Sequence, residues 1–423
     1  MTQTIIRNVK SLSPLTYKEI DAQVINQDGK VFLEKRDEEG QVYRTLMDTD
    51  YDFFQRMTRD RVDKQVPPNS IDLYVSSVCN LNCPLCYEDI GGKEELSLPE
   101  IENLLRNVKG KVVVLMGREP TCRKDIFEVI KLATKHNRAC LLTNGIKLAD
   151  YGYAVKLKEA GLDVITFSFN GFNDEIYRKT NGKPLLDVKL KALDNVKKLG
   201  IKTCLSVTLA RGVNDDQIKQ LCDYCFDNQS FIYELRIRTA EPIGRHIDGV
   251  EPFCMSEMID LVSKSLQLQK ADILKEYDFW EQLVATKLIP VPTVIRRFVR
   301  TRLCSFNFHI RRDAGKYSCL GSHVDLEAIK HAKFKQPLMV YYLLKSYGLQ
   351  YILNNLSIVF KLPYKGAESN SMMVVLRSWP NVYNVDMAEI MKCPSQYYKR
   401  GQFLPFCYAN IMEGKESLNK EES

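Results

Sequence analysis

The chain contains little tryptophan and histidine, only a small excess of positive charge and no long hydrophobic run. A net charge of +7 spread over 423 residues falls short of the dense basic surface that nucleic-acid binding needs. Apolar runs such as 112–116 are far shorter than the roughly 20 residues of a membrane-spanning helix. The polar N-terminus has no secretory signal. We therefore expect a cytoplasmic protein with no nucleic-acid partner and no transmembrane segment.

Hydrophobic residues make up 45% of the chain and charged residues 27%, which is typical of a folded globular protein and excludes disordered and collagen-like architectures. From about residue 70 to residue 240, short β-branched runs alternate with segments of helical period. Six strand-and-helix units can be identified, with strands at 71–75, 111–116, 140–143, 164–169, 203–208 and 233–237. Such repetition predicts a parallel sheet with its chemistry at the carboxyl ends of the strands. The predicted fold class is α/β, a partial (β/α)6 TIM-like barrel.

The segments that flank the barrel predict a small N-terminal module and a C-terminal region. Two alternating segments surround the turn Asp28-Gly29, which indicates a hairpin. After the barrel, 256–269 and 326–346 have helical period, and the second is expected to break at Pro337. We divide the chain into a hairpin-bearing module, the barrel, a helical and cysteine-bearing region and a disordered tail, at 1–68, 69–245, 246–412 and 413–423.

Thirteen cysteines is a high count for a chain without an export signal, and in a reducing compartment they favour metal binding or core packing over disulfides. Directly after the first predicted strand, Cys79, Cys83 and Cys86 form a C-x3-C-x2-C set. Three thiolates this close in one loop can hold three irons of a 4Fe-4S cube and leave the fourth iron open. Zinc is the alternative, but it fits poorly because no fourth ligand lies nearby.

This spacing, in the loop after the first strand of a six-unit barrel, resembles the signature of the radical S-adenosylmethionine (SAM) enzymes. The resemblance continues at the later strand ends, at Gly117-Arg118-Glu119-Pro120, Thr143-Asn144-Gly145, Ser168-Phe169-Asn170-Gly171, Asn214 and Arg236. It implies a 4Fe-4S cluster with an open iron on the three cysteines, and SAM as the second cofactor. The SAM-binding residues that it implies are Gly117, Glu119, Thr143, Asn144, Ser168, Asn170, Asn214 and Arg236. Arg118 departs from the family pattern, which usually has a second glycine there.

Within this superfamily, the stretch 167–215 and the ending around Cys393 and Cys407 resemble the branch of tetraether lipid synthase and the methanogen pterin methylase-like proteins. Relatives in that branch tend to carry cysteine and histidine metal ligands in the N-terminal module. The matching stretch here, 34–40, has neither residue type, so we expect that metal site to be absent. The branch also implies an auxiliary iron-sulfur cluster in the C-terminal region.

The candidate ligands of this auxiliary cluster lie beyond the barrel, at Cys304, Cys393, Cys407 and Cys319. The alternative is that these are ordinary buried thiols. Cys222 and Cys225 form a C-x2-C pair, but their i, i+3 spacing in an apparent helix favours core packing. The remaining single cysteines are also interpreted as core residues, at positions 122, 140, 204 and 254.

The resemblance implies a transferase-type enzyme in a biosynthetic pathway. Reductive cleavage of SAM yields a 5′-deoxyadenosyl radical, which abstracts hydrogen from an unactivated carbon. The branch implies carbon–carbon bond formation or methylation of a small or lipid-like metabolite, with a reductant such as flavodoxin or ferredoxin. Sulfur insertion, peptide maturation and a non-catalytic iron-sulfur electron-transfer protein stay open as alternatives. No catalytic residue is assigned.

Arginine is dense between residues 296 and 312, and its planar fork suits phosphate and carboxylate groups. An anionic substrate is one interpretation, and a solvated helix face is another. A nucleic-acid modifying enzyme would also use such a stretch, although the charge balance argues against it.

Overall fold

A computed structural model describes residues 3–58, 70–88, 95–285, 304–359, 370–399 and 401–421. Six parallel strands form its centre, and they lie side by side in chain order: β5 (Ser70–Ser76), β6 (Val112–Gly117), β7 (Arg138–Thr143), β8 (Val164–Ser168), β9 (Lys202–Leu209) and β10 (Ile232–Thr239). The predicted partial (β/α)6 barrel is confirmed. Each predicted strand end lies within about two residues of its observed position, since the hydrophobic runs coincide with the buried strands.

The C-terminal region extends both edges of this sheet. β13 (Ser371–Arg377) pairs in parallel with β10, and β11 (Ser305–Asp313) and β12 (Lys316–Cys319) continue outward in antiparallel pairing. On the opposite edge, β14 (Ser395–Lys399) pairs in parallel with β5 and forms a hairpin with β15 (Gln402–Pro405). One region of the chain therefore borders the open barrel on both sides.

The helices in chain order are α1 (Tyr51–Thr58), α2 (Leu98–Arg106), α3 (Ile126–Thr134), α4 (Tyr151–Glu159), α5 (Asp174–Asn181), α6 (Leu186–Lys198), α7 (Ile218–Asp227), α8 (Met255–Leu266), α9 (Lys270–Ala285), α10 (Leu326–His331), α11 (Lys335–Val359), α12 (Met387–Ile390) and α13 (Phe406–Glu421). Local signals explain their ends. The capping box of Ser97 and Glu100 starts α2, and Gly200, with φ of 61°, follows α6. No helix in the described ranges is both long and apolar enough to span a bilayer.

Alternation along the barrel strands sends apolar side chains outward and polar side chains inward. Leu235 and Ile237 of β10 belong to the main hydrophobic core, which lies between the sheet and the helices. Their neighbours Glu234, Arg236 and Arg238 therefore face the barrel interior. Charged residues are rarely enclosed in this way unless they form ion pairs or bind a ligand. The interior of the barrel is thus the part of the molecule most suited to a polar ligand.

A separate four-stranded antiparallel sheet forms the N-terminal module, from β1 (Gln3–Leu12), β2 (Glu19–Gln27), β3 (Lys30–Arg36) and β4 (Val42–Asp48). The predicted hairpin is confirmed, and both turn residues, Asp28 and Gly29, have positive φ. Lys35 connects this sheet to the C-terminal region through hydrogen bonds. Its buried Nζ donates to the carbonyls of Leu12 at 2.8 Å and Val382 at 2.6 Å.

Two predictions for the C-terminal region differ from the structure. The break within 326–346 falls between α10 and α11, and not at Pro337. Pro337 lies in the first turn of α11, where a backbone N–H has no partner within the helix, so proline is tolerated there. Residues 413–421 continue α13, whereas a disordered tail was predicted from their polarity. The buried side chains of Phe406 and Ala409 anchor the first turns of this helix, and elongation from a formed turn is favourable.

Glu241 follows β10 and links the barrel to the segment after β13. Its buried carboxylate accepts hydrogen bonds from Ser378 Oγ at 3.0 Å and Asn381 Nδ2 at 3.3 Å. Burial raises the pKa of Glu241 to about 8 from an ordinary value of 4.5. The folded chain therefore keeps a proton that the unfolded chain releases. The stability from this group is present below the unfolded pKa and is lost as pH rises toward 8.

We predict that Glu241→Gln, a neutral isostere, removes this pH dependence. Between about pH 5 and about pH 8, the unfolding temperature of the wild type should fall relative to that of the variant. Thermal unfolding in one buffer series measures it, with Glu251→Gln as the control because Glu251 is exposed. Parallel pH profiles for wild type and E241Q would contradict the assignment.

Candidate active site at the carboxyl ends of the barrel strands

The predicted cysteine loop lies directly after β5, at the end of the barrel where the parallel strands finish. Backbone hydrogen bonds attach it to the segment after β10, because Cys86 and Arg245 donate to each other's carbonyls, both at 2.9 Å. Cys79, Cys83 and Cys86 are all free and half-buried. The loop is therefore held in place by its backbone while its thiols stay partly open.

Hydrogen-bond donors point at two of the three sulfurs. The backbone N–H of Leu81 donates to Cys79 Sγ at 3.3 Å, and Asn181 Nδ2 donates to Cys83 Sγ at 3.2 Å. Burial raises the pKa of both thiols, that of Cys79 to about 11, and these hydrogen bonds act in the opposite direction. Donors of this kind stabilise a thiolate, which is the form that binds metal. The residues present fit an iron-sulfur cluster.

Among the residues that the structure describes, no three or more His, Cys, Asp or Glu side chains are arranged to share one metal ion. A structural zinc ion takes four ligands around a single point, and the cysteine loop supplies three cysteines. A cube distributes its thiolate ligands over different irons. The loop therefore suits a cluster better than a single ion.

Lys189 is a residue of the site that the sequence analysis missed. Its fully buried side chain extends from α6, and Nζ donates to the carbonyls of Asn144 at 2.9 Å and Ser168 at 2.6 Å, at the ends of β7 and β8. Burial lowers the pKa of Lys189 to about 8, while Cys83 and Glu119 raise it. A cation thus lies within electrostatic reach of the cysteine loop. Its sequence signal is a lysine on the apolar face of an amphipathic helix.

Four predicted SAM-binding residues meet at the ends of β6 and β7. The buried carboxylate of Glu119 accepts from Thr121 Oγ1 at 2.6 Å, Thr143 Oγ1 at 2.8 Å and the N–H of Asn144 at 2.6 Å. Gly117 has φ of 139°, and a Cβ there would lie 2.3 Å from a carbonyl oxygen of β5, so the position requires glycine. These contacts bring the loops after β6 and β7 together beside the cysteine loop.

Asn170 and Asn214 shape the ends of β8 and β9. Asn214 is fully buried, and its Nδ2 donates to the carbonyls of Asn170 and Thr208, both at 2.9 Å, while Oδ1 accepts from the N–H of Ala210 at 2.8 Å. Asn170 Oδ1 accepts from the N–H of Thr208 at 3.0 Å. Internal hydrogen bonds therefore engage both amides. Ser168 is half-buried at the same rim, and contact of these residues with SAM stays a prediction.

Arg236 lies on the inner face of β10 and forms an ion pair with Glu234. Glu234 also lies 3.3 Å from Cys204 Sγ on β9, and its pKa is lowered chiefly by the charge of Arg236 against the effect of burial. The guanidinium of Arg236 is therefore neutralised within the barrel. Its predicted role in binding SAM stays a prediction.

Three of the four predicted auxiliary cysteines lie next to the strands that border the open barrel. Cys304 precedes β11, Cys393 precedes β14 and Cys407 follows β15. Burial raises the pKa of the Cys407 thiol, and negative charge on Cys393 and Cys304 raises it further, while Arg377 lowers it. The three thiols thus lie within electrostatic reach of one another, between strands that border opposite edges of the sheet.

Cys319 does not join them, and the prediction that includes it is wrong. It ends β12, the outermost strand on the β10 edge, where it lies opposite Ile310 of β11. Its side chain is buried in the main hydrophobic core, and its Sγ lies 3.5 Å from Ser322 Oγ. Two strands separate it from the opening of the barrel, so it behaves as a structural thiol.

Aromatic side chains connect the two groups of cysteines. Tyr87, next to Cys86, packs edge-on against Trp379 with ring centroids 4.7 Å apart. Trp379 in turn packs against Phe406, next to Cys407, at 5.7 Å. Together with apolar side chains of β5, β6 and β7, these rings fill the barrel interior on that side.

The other sequence interpretations are simpler to place. Cys222 and Cys225 are fully buried in α7, in agreement with core packing. The arginines at 296, 297, 300 and 302 lie outside the described residues. Arg311 and Arg312 each pair with neighbouring aspartates. Within the described part of this stretch, the structure therefore favours surface ion pairs.

The family model of the radical SAM superfamily matches residues 73–245. The 7,8-dihydro-6-hydroxymethylpterin dimethyltransferase of Methanocaldococcus jannaschii is 24% identical, over 97% of this chain and 94% of its own length. The probable GTP 3′,8-cyclase of Pyrococcus abyssi is 34% identical over 37% of this chain and 52% of its own length, so the similarity spans about half of that relative.

Two solved structures are similar to parts of the chain. SuiB of Streptococcus suis has 19% identity and a TM-score of 0.40, with 47% of this chain and 46% of that chain covered. A structure titled native anSMEcpe with bound AdoMet and Kp18Cys peptide has 14% identity and a TM-score of 0.40, with 83% of this chain and 98% of that chain covered. The family match contains the cysteine loop and all six barrel strand ends, whereas the auxiliary cysteines lie outside it.

We predict that Lys189→Met destabilises the chain by about 2 kcal/mol, because the variant leaves two carbonyls at the rim without their charged donor. Urea unfolding of the cluster-free chain measures the loss. Lys191→Met is the matched control, since Lys191 is exposed on the same helix. Equal unfolding midpoints for K189M and K191M would show that the buried ammonium contributes nothing to the rim.

Proposed function

Because residues 73–245 form a radical SAM domain, which implies a 4Fe-4S cluster and SAM as cofactors, we propose that the chain forms a carbon–carbon bond at an unactivated carbon of a small substrate. Methylation is the favoured reaction, because the M. jannaschii dimethyltransferase is similar over nearly the whole chain. The observation that carries the proposal is the cysteine loop itself, with donors on two sulfurs and a buried cation beneath it.

Cys79, Cys83 and Cys86 would hold the cluster and leave one iron for SAM. When bound, the cluster and SAM supply one-electron cleavage to a 5′-deoxyadenosyl radical. The chain's own part is to stabilise the thiolates, through the N–H donors of Leu81 and Asn181. Each of these donors is fixed by backbone or helix structure, so little reorganisation is needed when a ligand binds.

The rim of the barrel supplies the orientation. Lys189 and Glu119 tie the loops after β6, β7 and β8 into one connected set of hydrogen bonds. Loops that are bonded to one another can hold a ligand in one position, which brings a single C–H bond to the reacting centre. On the side of Tyr87 and Trp379, packed rings close the interior, and such packing keeps water from a reactive intermediate.

We further propose that Cys304, Cys393 and Cys407 hold an auxiliary cluster. Support comes from their convergence and from Arg377, whose cation lies close enough to favour thiolates there. A metal centre at this place would give the barrel interior a site that accepts or returns an electron. We also propose an electron donor protein, such as a flavodoxin or ferredoxin, as the partner.

We predict that the anaerobically reconstituted wild type holds about eight irons, and that Cys79→Ala/Cys83→Ala/Cys86→Ala holds about four and makes no 5′-deoxyadenosine. The triple variant Cys304→Ala/Cys393→Ala/Cys407→Ala should also hold about four, with the SAM-binding cluster kept. Iron analysis and chromatography after incubation with dithionite and SAM measure both quantities.

Cys319→Ala is the matched control and should equal the wild type in iron, since Cys319 lies away from both sites. About four irons in the wild type and none in the first triple variant would remove the auxiliary cluster. An intact cluster that yields no 5′-deoxyadenosine would remove the enzyme assignment and favour electron transfer.

A further inference from the structure

The barrel interior holds two arginines side by side on neighbouring strands. Arg238 on β10 lies directly opposite Arg377 on β13 in the parallel register. Both side chains face inward, because their neighbours Ile237 and Leu376 belong to the outer core. Among the described residues, neither arginine forms an ion pair, whereas Arg236 is matched by its own glutamate.

Arg238 is held in a fixed pose. Its guanidinium carbon lies 5.0 Å from the ring centroid of Trp379 and 5.6 Å from that of Tyr87. The Nε atom is buried and has no hydrogen-bond partner among the described residues. The guanidinium also donates a hydrogen bond to the hydroxyl of Tyr87. Neither this bond nor the cation–π contacts give Nε a partner or cancel the charge. The geometry therefore leaves a positioned donor inside the barrel.

Adjacent guanidinium groups repel each other, and the repulsion is strong where water is excluded. Burial lowers the pKa of Arg377, and the charge of Arg236 lowers it further, while Glu234, the partner of Arg236, acts in the opposite direction. An auxiliary cluster on Cys304 and Cys393 would add negative charge close to Arg377. Arg238 has no ion-pair partner in the described part of the chain. An anion bound between the two arginines would relieve their repulsion and give the buried Nε of Arg238 an acceptor.

We propose that Arg238 and Arg377 form an anion site that binds a carboxylate or phosphate group of the substrate. The site lies next to the cysteine loop, since Arg238 contacts the ring of Tyr87 and Tyr87 follows Cys86. The anion site therefore binds the anionic end of the substrate, and the other end of the substrate extends toward the rim. The proposal names the substrate class of the proposed function and rests on it for the reaction, although anion binding can be measured without the reaction.

Inorganic phosphate and malonate are the probes, applied to the reconstituted full chain at constant ionic strength. Their binding, followed by calorimetry, should be at least about tenfold weaker in Arg238→Gln and Arg377→Gln than in the wild type. Preference for one probe distinguishes a phosphate from a carboxylate. Arg238→Lys keeps the charge without the fork and should bind with intermediate affinity. Arg106→Gln, on the exposed face of α2, should bind as the wild type does.

Equal affinities in wild type and both glutamine variants, or no binding of either probe to the wild type, would overturn the proposal. SAM binding by equilibrium dialysis should be unchanged in R238Q, and a loss of about tenfold would assign the arginine to SAM instead. The iron content of each protein is measured separately from anion binding. A chain that binds phosphate through Arg238 but holds no iron would leave the anion site standing and remove the proposed radical chemistry.

Discussion

The buried ammonium of Lys189 is the interaction on which the rest of the site depends. Parallel strands end with carbonyl groups at one rim, and without donors those groups would repel each other and any anionic ligand. Lys189 donates to two of them and adds a positive charge beneath the cysteine loop. Glu119 performs the complementary task on the neighbouring loops, where it accepts hydrogen bonds. Together the two residues make the rim a polar surface of fixed shape.

The C-terminal region completes the barrel, and it does so with charge as well as with strands. β13 adds Arg377 beside Arg238, and β14 and β15 bring Cys393 and Cys407 to the same opening. The aromatic contacts through Trp379 then join this opening to the cysteine loop. Sites on the first and last parts of the chain therefore belong to one interior, which is consistent with a substrate bound between them.

The sequence predicts much of this arrangement because its signals are local. Six β-branched runs and the spacing of Cys79, Cys83 and Cys86 depend on neighbours in the chain, and the strands are confirmed. The predicted role of Cys319 as an auxiliary ligand depends on contacts between distant segments, which the sequence does not show. Cys319 has the same residue type as Cys407, but strand order places it two strands away from the opening. The Arg238–Arg377 pair becomes visible only once strand register is known. Lys189 leaves a sequence signal on the apolar face of its helix, but the carbonyls that it contacts are known only from helix packing.

The central claim is that the loop of Cys79, Cys83 and Cys86 holds a cluster whose open iron binds SAM within this rim. The most direct measurement is electron-nuclear double resonance on the dithionite-reduced chain with SAM labelled with 15N and 17O in its methionyl part. The predicted result is hyperfine coupling between the label and the cluster. An intact reduced cluster that shows no coupling to labelled SAM would contradict the claim.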